Sequence, residues 1–582
     1  MITAADEVET VLAGLAQHGV GRGDLVAITV APGVGVGLSA GTGEWSAASS
    51  DVVARIETAL RPRWVWWSSD TAVRLAADGI AAGTCWDLSA VHRLLFGGWP
   101  ADPGRVWAAL HDLALDAIPA TGQLDLLADA GEDGGDAHSV TRPDSYLRPE
   151  WASGGWARSP DRLARWAATA LAAAHLQHRR LRELDVGGDP VATARSESAA
   201  ELLCTELVAE GLPVDRAGAE QIIASTVGPR PADEDEARRQ RRSRDRVVLG
   251  HVSGADEVDL RNPAQVKAML AGIGFDLPDT RSWRLEPFLG AHPVIGPLLD
   301  WRKAERVSTT YGYTWLDRHV GSDGRLRGAW SGSDGAAGRM TAQAGLHNLP
   351  AELRPAVVAA PGHVLVRADL GQIEPRILAL VSKDAALAHA SADDDLYAPV
   401  AARLSVERSV AKIAVLAAMY GQTSGAAGEA LRGMESAYRV AMQYLRTAHD
   451  SGSAGRDVRT HGGRLVRMPA LPLGLDEAGV RSARASRARF ARNAVVQGAA
   501  AEFFKMWAVT VRARAAALDA HIVLCLHDEL LVHAPEDRGS DVDRLLRDCL
   551  EETGRRWQPE RVAVRFVADI SCVRRWSDAK GA

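Results

Sequence analysis

A short stretch near the C-terminus, VLCLHDELLVHAP (Val523–Pro535), limits the possible folds of this chain more sharply than its composition does. Two apolar runs of this length, separated by a few polar residues, predict a buried β-hairpin. The polar residues between the runs are His527, Asp528 and Glu529. Because a buried carboxylate is costly unless a cation meets it, these acids belong either to a solvated turn or to a charged site. The hairpin alone leaves both interpretations open.

A second carboxylate follows a strand-like segment in the middle of the chain. In HVLVRADLGQIEPRILAL, the residues Val364–Val366 predict a strand that ends near Asp369, and the apolar residues from Ile373 onward give the next segment a helical face. We therefore expect Asp369 at a strand end, rigidly held and partly open. An isolated aspartate in this position is a helix N-cap as often as a catalytic group.

Between the two acids lies ERSVAKIAVLAAMYGQTSG, which predicts a helix. Arg408, Lys412, Leu416 and Tyr420 recur at spacings of four and therefore share one side of it. Two cations and an aromatic ring on one face can bind a polyphosphate and stack on a base. The alternative is an amphipathic helix with solvated surface cations.

Composition restricts the class of protein. A chain of 582 residues predicts several domains, at roughly 100–200 residues each. The five cysteines form no CxxC pair, which disfavours zinc and disulfide frameworks and indicates a reducing cytoplasm. The N-terminus lacks the pattern of a signal peptide, and no apolar run approaches the roughly 20 residues of a membrane span. We expect no membrane partner.

The net charge of −7 is weak evidence against a nucleic-acid partner. Arginines nevertheless concentrate in EARRQRRSRDR (Glu236–Arg246) and RSARASRARFARN (Arg481–Asn493). Each stretch is either a solvated helix face or a local basic patch. Such patches supply the phosphate contacts that dominate nucleic-acid affinity, even on an acidic protein.

Six segments taken together resemble the family A DNA polymerases of the bacterial DNA polymerase I type, including the actinobacterial bifunctional 3′–5′ exonuclease/DNA polymerase paralogues. The resemblance covers Ala200 to the C-terminus and, weakly, the N-terminal third. The segments follow the family's order: GRMTAQAGLHNLP, DLGQIEPR, RSVAKIAVLAAMYG, THGGRLVRMP, RFARNAVVQGAAAE and LHDELLV.

The resemblance implies an α+β multidomain fold, a right-hand polymerase of thumb, palm and fingers, preceded by a degenerate ribonuclease H-like α/β exonuclease domain. The break at DVGGDPVATARSES predicts the boundary between residues 1–190 and the polymerase domain of residues 191–582. Within the latter we expect the thumb at about 200–301, the palm at about 302–406 and 480–582, and the fingers at about 407–479.

The resemblance also implies roles for individual residues. Asp369 and Asp528 are expected to bind two Mg²⁺ ions, with Mn²⁺ as a substitute, and Glu529 and Lys412 to assist catalysis. The residues that the resemblance assigns to nucleotide binding are Arg408, Lys412, Leu416, Tyr420, Glu374, Gln372 and Tyr397. Those that it assigns to DNA binding are Arg339, Arg376, Arg489, Asn493, Gln497 and His527.

The sequence departs from the family pattern in the nucleotide pocket. Leu416 stands where the family has Phe, Ala417 where it has Gly, Leu370 where it has an aromatic residue, and Pro375 where it has an aliphatic one. Tyr397 stands where the family has His. The metal acids and the Arg/Lys pair are intact, so we expect activity with an altered nucleotide pocket.

The N-terminal third lacks the carboxylates of a proofreading site. Such a site needs four acids beginning with Asp-x-Glu on the first strand, and LVAITVAP has none. CWDLSAVHRLL resembles a later exonuclease segment and leaves Asp87 alone. We therefore expect no 3′–5′ exonuclease activity.

The resemblance predicts a monomeric, template-directed DNA polymerase in the bacterial cytoplasm, associated with the nucleoid. It would add deoxynucleotides from deoxynucleoside triphosphates to a primed DNA template, in repair or in replication-associated gap filling. Two alternatives remain: a catalytically weak DNA-binding paralogue that recognises gaps or primer ends, and a 3′–5′ exonuclease.

Overall fold

The computed structural model describes residues 4–119, 139–255, 257–421, 426–558 and 563–580. Contacts divide the chain into two compact units. The first unit comprises Met1–Ala209, Trp330–Thr341 and Val366–Cys572, and the second Glu210–Ala329, Ala342–Leu365 and Val573–Ala582. The predicted limits of the thumb, palm and fingers stay predictions. Among the described residues, no helix is long and apolar enough to cross a membrane.

The N-terminal part of the first unit contains a five-stranded sheet. In chain order its strands are β1 (Leu25–Ala31), β2 (Gly35–Ala40), β3 (Gly43–Ala47), β4 (Arg63–Trp66) and β5 (Thr84–Asp87). Their spatial order is β3-β2-β1-β4-β5. Strand β2 is antiparallel to both β1 and β3, and β4 is parallel to both β1 and β5. The two strands predicted in this region, in LVAITVAP and RWVWW, are confirmed.

Helices cover this sheet because its inner strands β2, β1 and β4 are buried along almost their whole length, on both faces. Helix Pro160–Arg182 approaches β2 so closely that a Cβ at Gly37 would lie 2.1 Å from the carbonyl carbon of Leu163, and only glycine fits there. The other helices in this part of the chain are Ala4–Gln17, Asp51–Leu60, Asp70–Ala77, Leu88–Phe96, Pro103–Leu110, Pro149–Ala152 and Pro190–Glu210.

A second sheet carries both predicted acid segments. Its strands are β6 (His363–Leu370), β7 (His521–Leu526), β8 (Glu529–Pro535) and β9 (Ala568–Val573), in the spatial order β7-β8-β6-β9. Strands β7 and β8 form the predicted antiparallel hairpin, with a two-residue turn between them. The strand predicted before Asp369 is confirmed as β6, and a helix follows at Ile373–Ser382.

Further helices of the first unit follow β6 in the chain. Their longest member, Glu477–Ala515, begins where the Asp476 carboxylate accepts the Gly479 N–H at 2.7 Å, the usual N-cap arrangement. The others are Ala385–Ala390, Tyr397–Leu404, Arg408–Tyr420, Ala426–Ala437, Arg439–Ser453 and Gly539–Trp557.

The second unit is mainly helical. Its helices are Arg216–Val227, Glu234–Leu249, Pro263–Gly272, Ser282–Leu285, Ile295–Thr310 and Tyr313–His319. An apolar core that includes Val248, Leu270 and Leu298 holds several of them together. The predicted arginine-rich stretch Glu236–Arg246 forms part of helix Glu234–Leu249.

Candidate active site

Two aspartates meet at the end of the second sheet. Asp369 lies near the end of β6, and the N–H of the next residue, Leu370, donates to the backbone carbonyl of Asp528 at 3.0 Å. The Asp369 side chain is 33% exposed. Burial raises the pKa of Asp528, and the neighbouring carboxylates of Glu529 and Glu374 add to the effect. The strand-and-hairpin geometry thus brings together the two acids that the sequence singled out.

The donor set of this corner suits a hard divalent cation. Carboxylate oxygens are the protein ligands that Mg²⁺ prefers, and it completes its coordination with water and phosphate oxygens. Across the described ranges, no group of three or more His, Cys, Asp or Glu side chains is arranged to hold a metal by itself. Asp369 and Asp528 therefore fit an ion whose remaining ligands come from elsewhere.

An arginine that the sequence analysis did not single out lies between the acids. Arg367 Nη2 contacts a carboxylate oxygen of Asp369 and lies 3.1 Å from Glu529 Oε2, and its Nη1 lies 3.5 Å from Asp569 Oδ2. Its side chain is only 4% exposed. A signal existed: residues two apart on a strand point to one face, so Arg367 had to accompany Asp369.

A cavity of about 270 Å³ lies beside Asp528. It brings together nine predicted residues from six separate stretches of the chain. They are Arg339, Gln372, Glu374, Tyr397, Leu416, Tyr420, Gln497, His527 and Asp528. The rest of its lining is apolar. It includes Pro375, named above as a departure from the family pattern, and four residues that were not predicted: Ile373, Ala500, Ala501 and Phe504. The last three follow Gln497 by three, four and seven positions, a helical spacing that could have revealed them.

Glu374 connects two cavity walls. Its carboxylate accepts the Tyr420 hydroxyl at 2.9 Å and Arg339 Nη2 at 3.2 Å. Burial, together with the charge of Glu374, raises the pKa of Tyr420 to about 12. The Gln497 amide oxygen, turned towards Arg339, accepts from Nη1 at 3.1 Å. Glu374 therefore holds Tyr420 and Arg339 in fixed positions at the cavity.

Asp395, which the sequence analysis also missed, positions Arg408. Arg408 donates to it through Nε at 2.5 Å and Nη2 at 3.1 Å. Gln372 donates to the same carboxylate at 2.8 Å. Arg408, Lys412, Leu416 and Tyr420 share the predicted helix, but Arg408 and Lys412 are exposed and do not line the cavity.

The face of the long helix that was predicted to turn towards DNA is present. Arg489, Asn493 and Gln497 lie four residues apart within helix Glu477–Ala515. Arg489 is exposed, whereas Asn493 and Gln497 are half-buried. Only Gln497 of the three lines the cavity, so this face extends from the cavity to the solvent.

The DNA-binding role predicted for Arg376 is wrong. Its side chain is fully buried. The guanidinium donates to five backbone carbonyls within 3.1 Å, those of Gly371, Ser391, Asp393, Asp394 and Arg565. Since its donors are taken up by the fold, Arg376 fixes the turn before helix Ile373–Ser382 and cannot reach a nucleic acid.

Asp87 lies at the end of β5 and is 1% exposed. Its carboxylate accepts the Ala90 N–H at 2.8 Å, as an N-cap, and the Trp66 indole N–H at 2.9 Å. Burial raises the pKa of Asp87 to about 7, with a further contribution from Glu201. Each carboxylate oxygen of Asp87 thus accepts a hydrogen bond that stabilises the local fold.

Comparison with known proteins identifies the family. A family model described as DNA polymerase family A matches residues 252–578, more than half of the chain. The chain belongs to DNA polymerase family A. This family A chain is 29% identical to the thermostable DNA polymerase I of Thermus filiformis over 52% of its own length and 38% of that protein. It is 25% identical to DNA polymerase I of Deinococcus radiodurans over 57% and 37%. It thus spans less than half of these curated relatives.

A solved structure covers nearly all of the family A chain. It is described as the POL domain of Pol1 from M. smegmatis in complex with DNA primer-template and dNTP. The similarity has a TM-score of 0.65 at 21% sequence identity and covers 97% of this chain and 98% of that one. The predicted α+β polymerase fold is therefore confirmed, while the degenerate exonuclease character of residues 1–190 stays a prediction.

Proposed function

We propose that this family A chain is a template-directed DNA polymerase that adds deoxynucleotides to a primer 3′ end by two-metal nucleotidyl transfer. The observation that carries the proposal is the cavity beside Asp528, where predicted residues from six separate stretches of the chain converge. Membership of the family and the similarity to DNA polymerase I proteins support it. The chain would act as a monomer in the nucleoid, in repair or in gap filling.

Asp369 and Asp528 would hold two Mg²⁺ ions, for which Mn²⁺ can substitute. Such ions, when bound, activate the primer 3′-hydroxyl and stabilise the leaving pyrophosphate. The chain's own contribution is to fix the two carboxylates on neighbouring strands, joined by the bond from the Leu370 N–H to the Asp528 carbonyl. Glu529 acts behind them by holding Arg367.

The cavity would receive the nucleotide, and the exposed side of helix Arg408–Tyr420 its phosphates. Arg408 is held in place by Asp395, so its guanidinium is oriented before a triphosphate arrives. Lys412, one turn further along, would donate a proton to the leaving group. Tyr397, Gln372 and the remaining cavity residues would enclose the sugar and base, with Glu374 excluding a 2′-hydroxyl.

The primer–template would contact a row of polar side chains that leads into the cavity. Arg489, Asn493 and Gln497 form this row on the long helix, and Arg339 and His527 continue it. The acceptor positions of the minor groove are largely shared by all base pairs. Contacts of this kind therefore bind DNA with little dependence on its sequence.

We propose that the N-terminal sheet is a degenerate exonuclease domain without 3′–5′ activity. The bonds from Ala90 and Trp66 to the Asp87 carboxylate support this interpretation. A two-metal nuclease needs several carboxylates with free oxygens. Asp87 cannot serve as one while it caps a helix.

Primer extension on a gapped duplex tests the proposed function. The purified chain should fill the gap with deoxynucleotides in Mg²⁺, and Mn²⁺ should also support the reaction. Asp369→Ala and Asp528→Ala are the inactive controls. If the chain binds the gapped duplex tightly but extends the primer in neither Mg²⁺ nor Mn²⁺, the polymerase function is rejected in favour of the second candidate.

The second candidate is a catalytically weak DNA-binding paralogue that recognises gaps or primer ends. Two observations favour it. Arg367 contacts a carboxylate oxygen of Asp369 that a metal would use, and Leu416 presents no aromatic face to the cavity. Both would lower the rate of nucleotide addition without weakening contact with DNA.

A further inference from the structure

The Arg367 guanidinium lies among the carboxylates that would hold a metal. It contacts Asp369, whose side chain is one-third exposed, and Glu529, whose side chain is buried. A cation bound to a carboxylate repels a second cation that approaches the same oxygens. Arg367 and a divalent ion therefore compete for Asp369.

We propose that Arg367 is a positioning residue that competes with divalent cations for Asp369, so that an ion binds there only when the guanidinium turns away. The inference rests on the proposed function, because Asp369 is taken there as a metal ligand. It goes further by naming a residue that sets the chain's own affinity for the metal.

The structure provides the guanidinium with other partners. Glu529 is buried beside it at 3.1 Å, and the carboxylate of Asp569, at 3.5 Å, is largely exposed and so has room to move. An arginine that leaves Asp369 therefore remains paired with two acids. Because the charge of Arg367 stays neutralised, the movement does not expose an unpaired buried cation.

The expected effect is on metal affinity. Residues behind the metal ligands commonly change affinity by about 10–100-fold when they are substituted. Here the substituted group opposes the metal, so Arg367→Ala should bind Mn²⁺ about 10–100-fold more tightly than the wild type. Arg367→Lys keeps the positive charge and should stay close to the wild type.

The test is a titration of the full-length chain with Mn²⁺ alone, in which electron paramagnetic resonance measures free Mn²⁺. The control is Arg555→Ala, which removes an exposed arginine on helix Gly539–Trp557 and should match the wild type. Asp369→Ala in the Arg367→Ala background should lose the gain. Since Arg367→Ala removes the cation that Glu529 contacts, the double variant Arg367→Ala/Glu529→Gln removes the charges of both residues and should show the same gain.

An Mn²⁺ affinity that is unchanged or weaker in both Arg367→Ala and the double variant overturns the inference. A gain that survives Asp369→Ala also overturns it. The two proposals fail separately. A chain that never extends primers, but whose Arg367→Ala variant binds Mn²⁺ more tightly, contradicts the polymerase function and supports the competition.

A second, independent observation concerns a basic pocket in the N-terminal part of the first unit. The pocket has a volume of about 480 Å³. Its charged lining consists of Asp24, Arg63, His175, His178, Arg179, Arg182 and Arg195. None of the four arginines forms an ion pair with a residue that the structure describes. Burial, together with the charges of Arg195 and Arg182, lowers the pKa of His178 to about 4, so its imidazole is neutral at pH 7 and the arginines supply the positive charge of the pocket.

We infer that this basic pocket binds the phosphates of a nucleic-acid strand. His175, His178, Arg179 and Arg182 follow helix Pro160–Arg182 on one face, over seven residues or about 10 Å. A row of that length is longer than one phosphate group, which favours successive phosphates of a strand over a single small anion. The four arginines, which form no ion pair with a residue in the described part of the chain, supply the attraction.

Salt-dependent binding of a fluorescent oligothymidylate to the full chain tests this inference. Each phosphate contact on a single strand contributes about 0.7 to the slope of log K against log salt. Arg182→Ala/Arg195→Ala should therefore bind more weakly and lower the slope by about 1.4. The control, Arg544→Ala/Arg555→Ala, removes two exposed arginines elsewhere and should change neither quantity.

An unchanged affinity and slope in Arg182→Ala/Arg195→Ala overturns the nucleic-acid site, as does an equal loss in the control. A pocket for a small phosphate-containing anion would have the same chemistry, and binding of inorganic pyrophosphate distinguishes it from a site for a nucleic-acid strand. If pyrophosphate binding depends on these arginines while oligothymidylate binding does not, the pocket is a small-anion site and the inference fails.

Discussion

The two sheets each carry an aspartate near a strand end, and they use its carboxylate in opposite ways. Asp87, at the end of β5, is buried and accepts bonds from Ala90 and Trp66. Asp369, near the end of β6, is one-third exposed, and the next residue along β6 is hydrogen-bonded to Asp528. The difference is one of access: the fold encloses the Asp87 carboxylate, whereas the Asp369 side chain is partly exposed and can be reached from outside.

The largest expected effect tests this contrast directly. Asp369→Ala and Asp528→Ala should reduce single-nucleotide incorporation by a factor of roughly 10²–10³, the scale of losing one electrostatic contributor to a transition state. Asp87→Ala should leave incorporation near the wild-type rate. Duplex affinity, measured by fluorescence anisotropy, should be nearly unchanged in all three because phosphate contacts lie elsewhere. Near wild-type extension by either polymerase-site variant would contradict the two-metal assignment.

A second prediction concerns a buried ionic cluster within the unit that contains both aspartates. Glu197 is almost fully buried, 2.5 Å from Lys505 Nζ and in contact with Arg464. Removing one partner of a buried pair costs about 3–5 kcal/mol because the other charge stays uncompensated. Glu197→Ala should therefore lower the free energy of unfolding in urea by about that amount.

The matched control for Glu197 is Glu551→Ala, which removes an exposed glutamate paired with Arg555. Exposed pairs of this kind contribute about 0–1 kcal/mol. An equal loss in the two variants would mean that Glu197 does not hold the unit together. Glu197→Gln, which retains hydrogen bonding without the charge, should lie between them.

Asp87 itself should matter for stability rather than for chemistry. Loss of an N-cap costs about 1 kcal/mol, and Asp87→Ala should lower the stability by at least that amount. Because burial raises the pKa of Asp87 to about 7, the folded wild type binds this proton more tightly than the unfolded chain. Protonation of Asp87 therefore stabilises the fold in full below the ordinary aspartate pKa of 3.8, and this stabilisation is lost as the pH rises through about 7.

Thermal unfolding of Asp87→Asn between pH 4 and pH 8 measures that effect. The Asp87→Asn variant cannot gain or lose this proton, so its stability deficit relative to the wild type should shrink as the pH rises.

A nuclease assay on the same proteins tests the other half of the contrast. Metal-dependent release of a mismatched primer nucleotide by the wild type, abolished in Asp87→Ala, would reveal an exonuclease site and break the contrast between the sheets.

Local patterns were sufficient to predict much of this molecule. The hairpin that contains Asp528, the strand before Asp369 and the helix with Arg408 and Leu416 all arise from apolar periodicity within a few residues. Their convergence on one cavity was implied by the family resemblance. Periodicity alone could not have predicted it.

Interactions between distant segments could not be predicted in this way. Arg376 occupies a motif position, yet carbonyls near residue 391 and at Arg565 saturate its guanidinium. Glu197 is separated from Lys505 by more than 300 positions. A sequence indicates the type of a side chain, but whether that side chain is buried, and which partner meets it, is decided by the tertiary fold.

The smallest expected effect concerns Leu416, which lines the cavity where the family has an aromatic residue. Base–aromatic stacking contributes about 1–3 kcal/mol, and leucine has no π-face to provide it. Leu416→Phe should therefore lower the KM for deoxynucleotides, by about fivefold if 1 kcal/mol is recovered. Ala417 is buried at the next position, and replacing it by glycine would give a ring at position 416 more room, so Leu416→Phe/Ala417→Gly should show the larger decrease. Leu416→Ala, which removes volume without adding a ring, should raise KM.

Single-nucleotide incorporation across a concentration series measures all three variants. If neither phenylalanine variant lowers KM, the nucleotide does not stack at this position, and the aspartates of the second sheet serve a pocket built differently from that of the family.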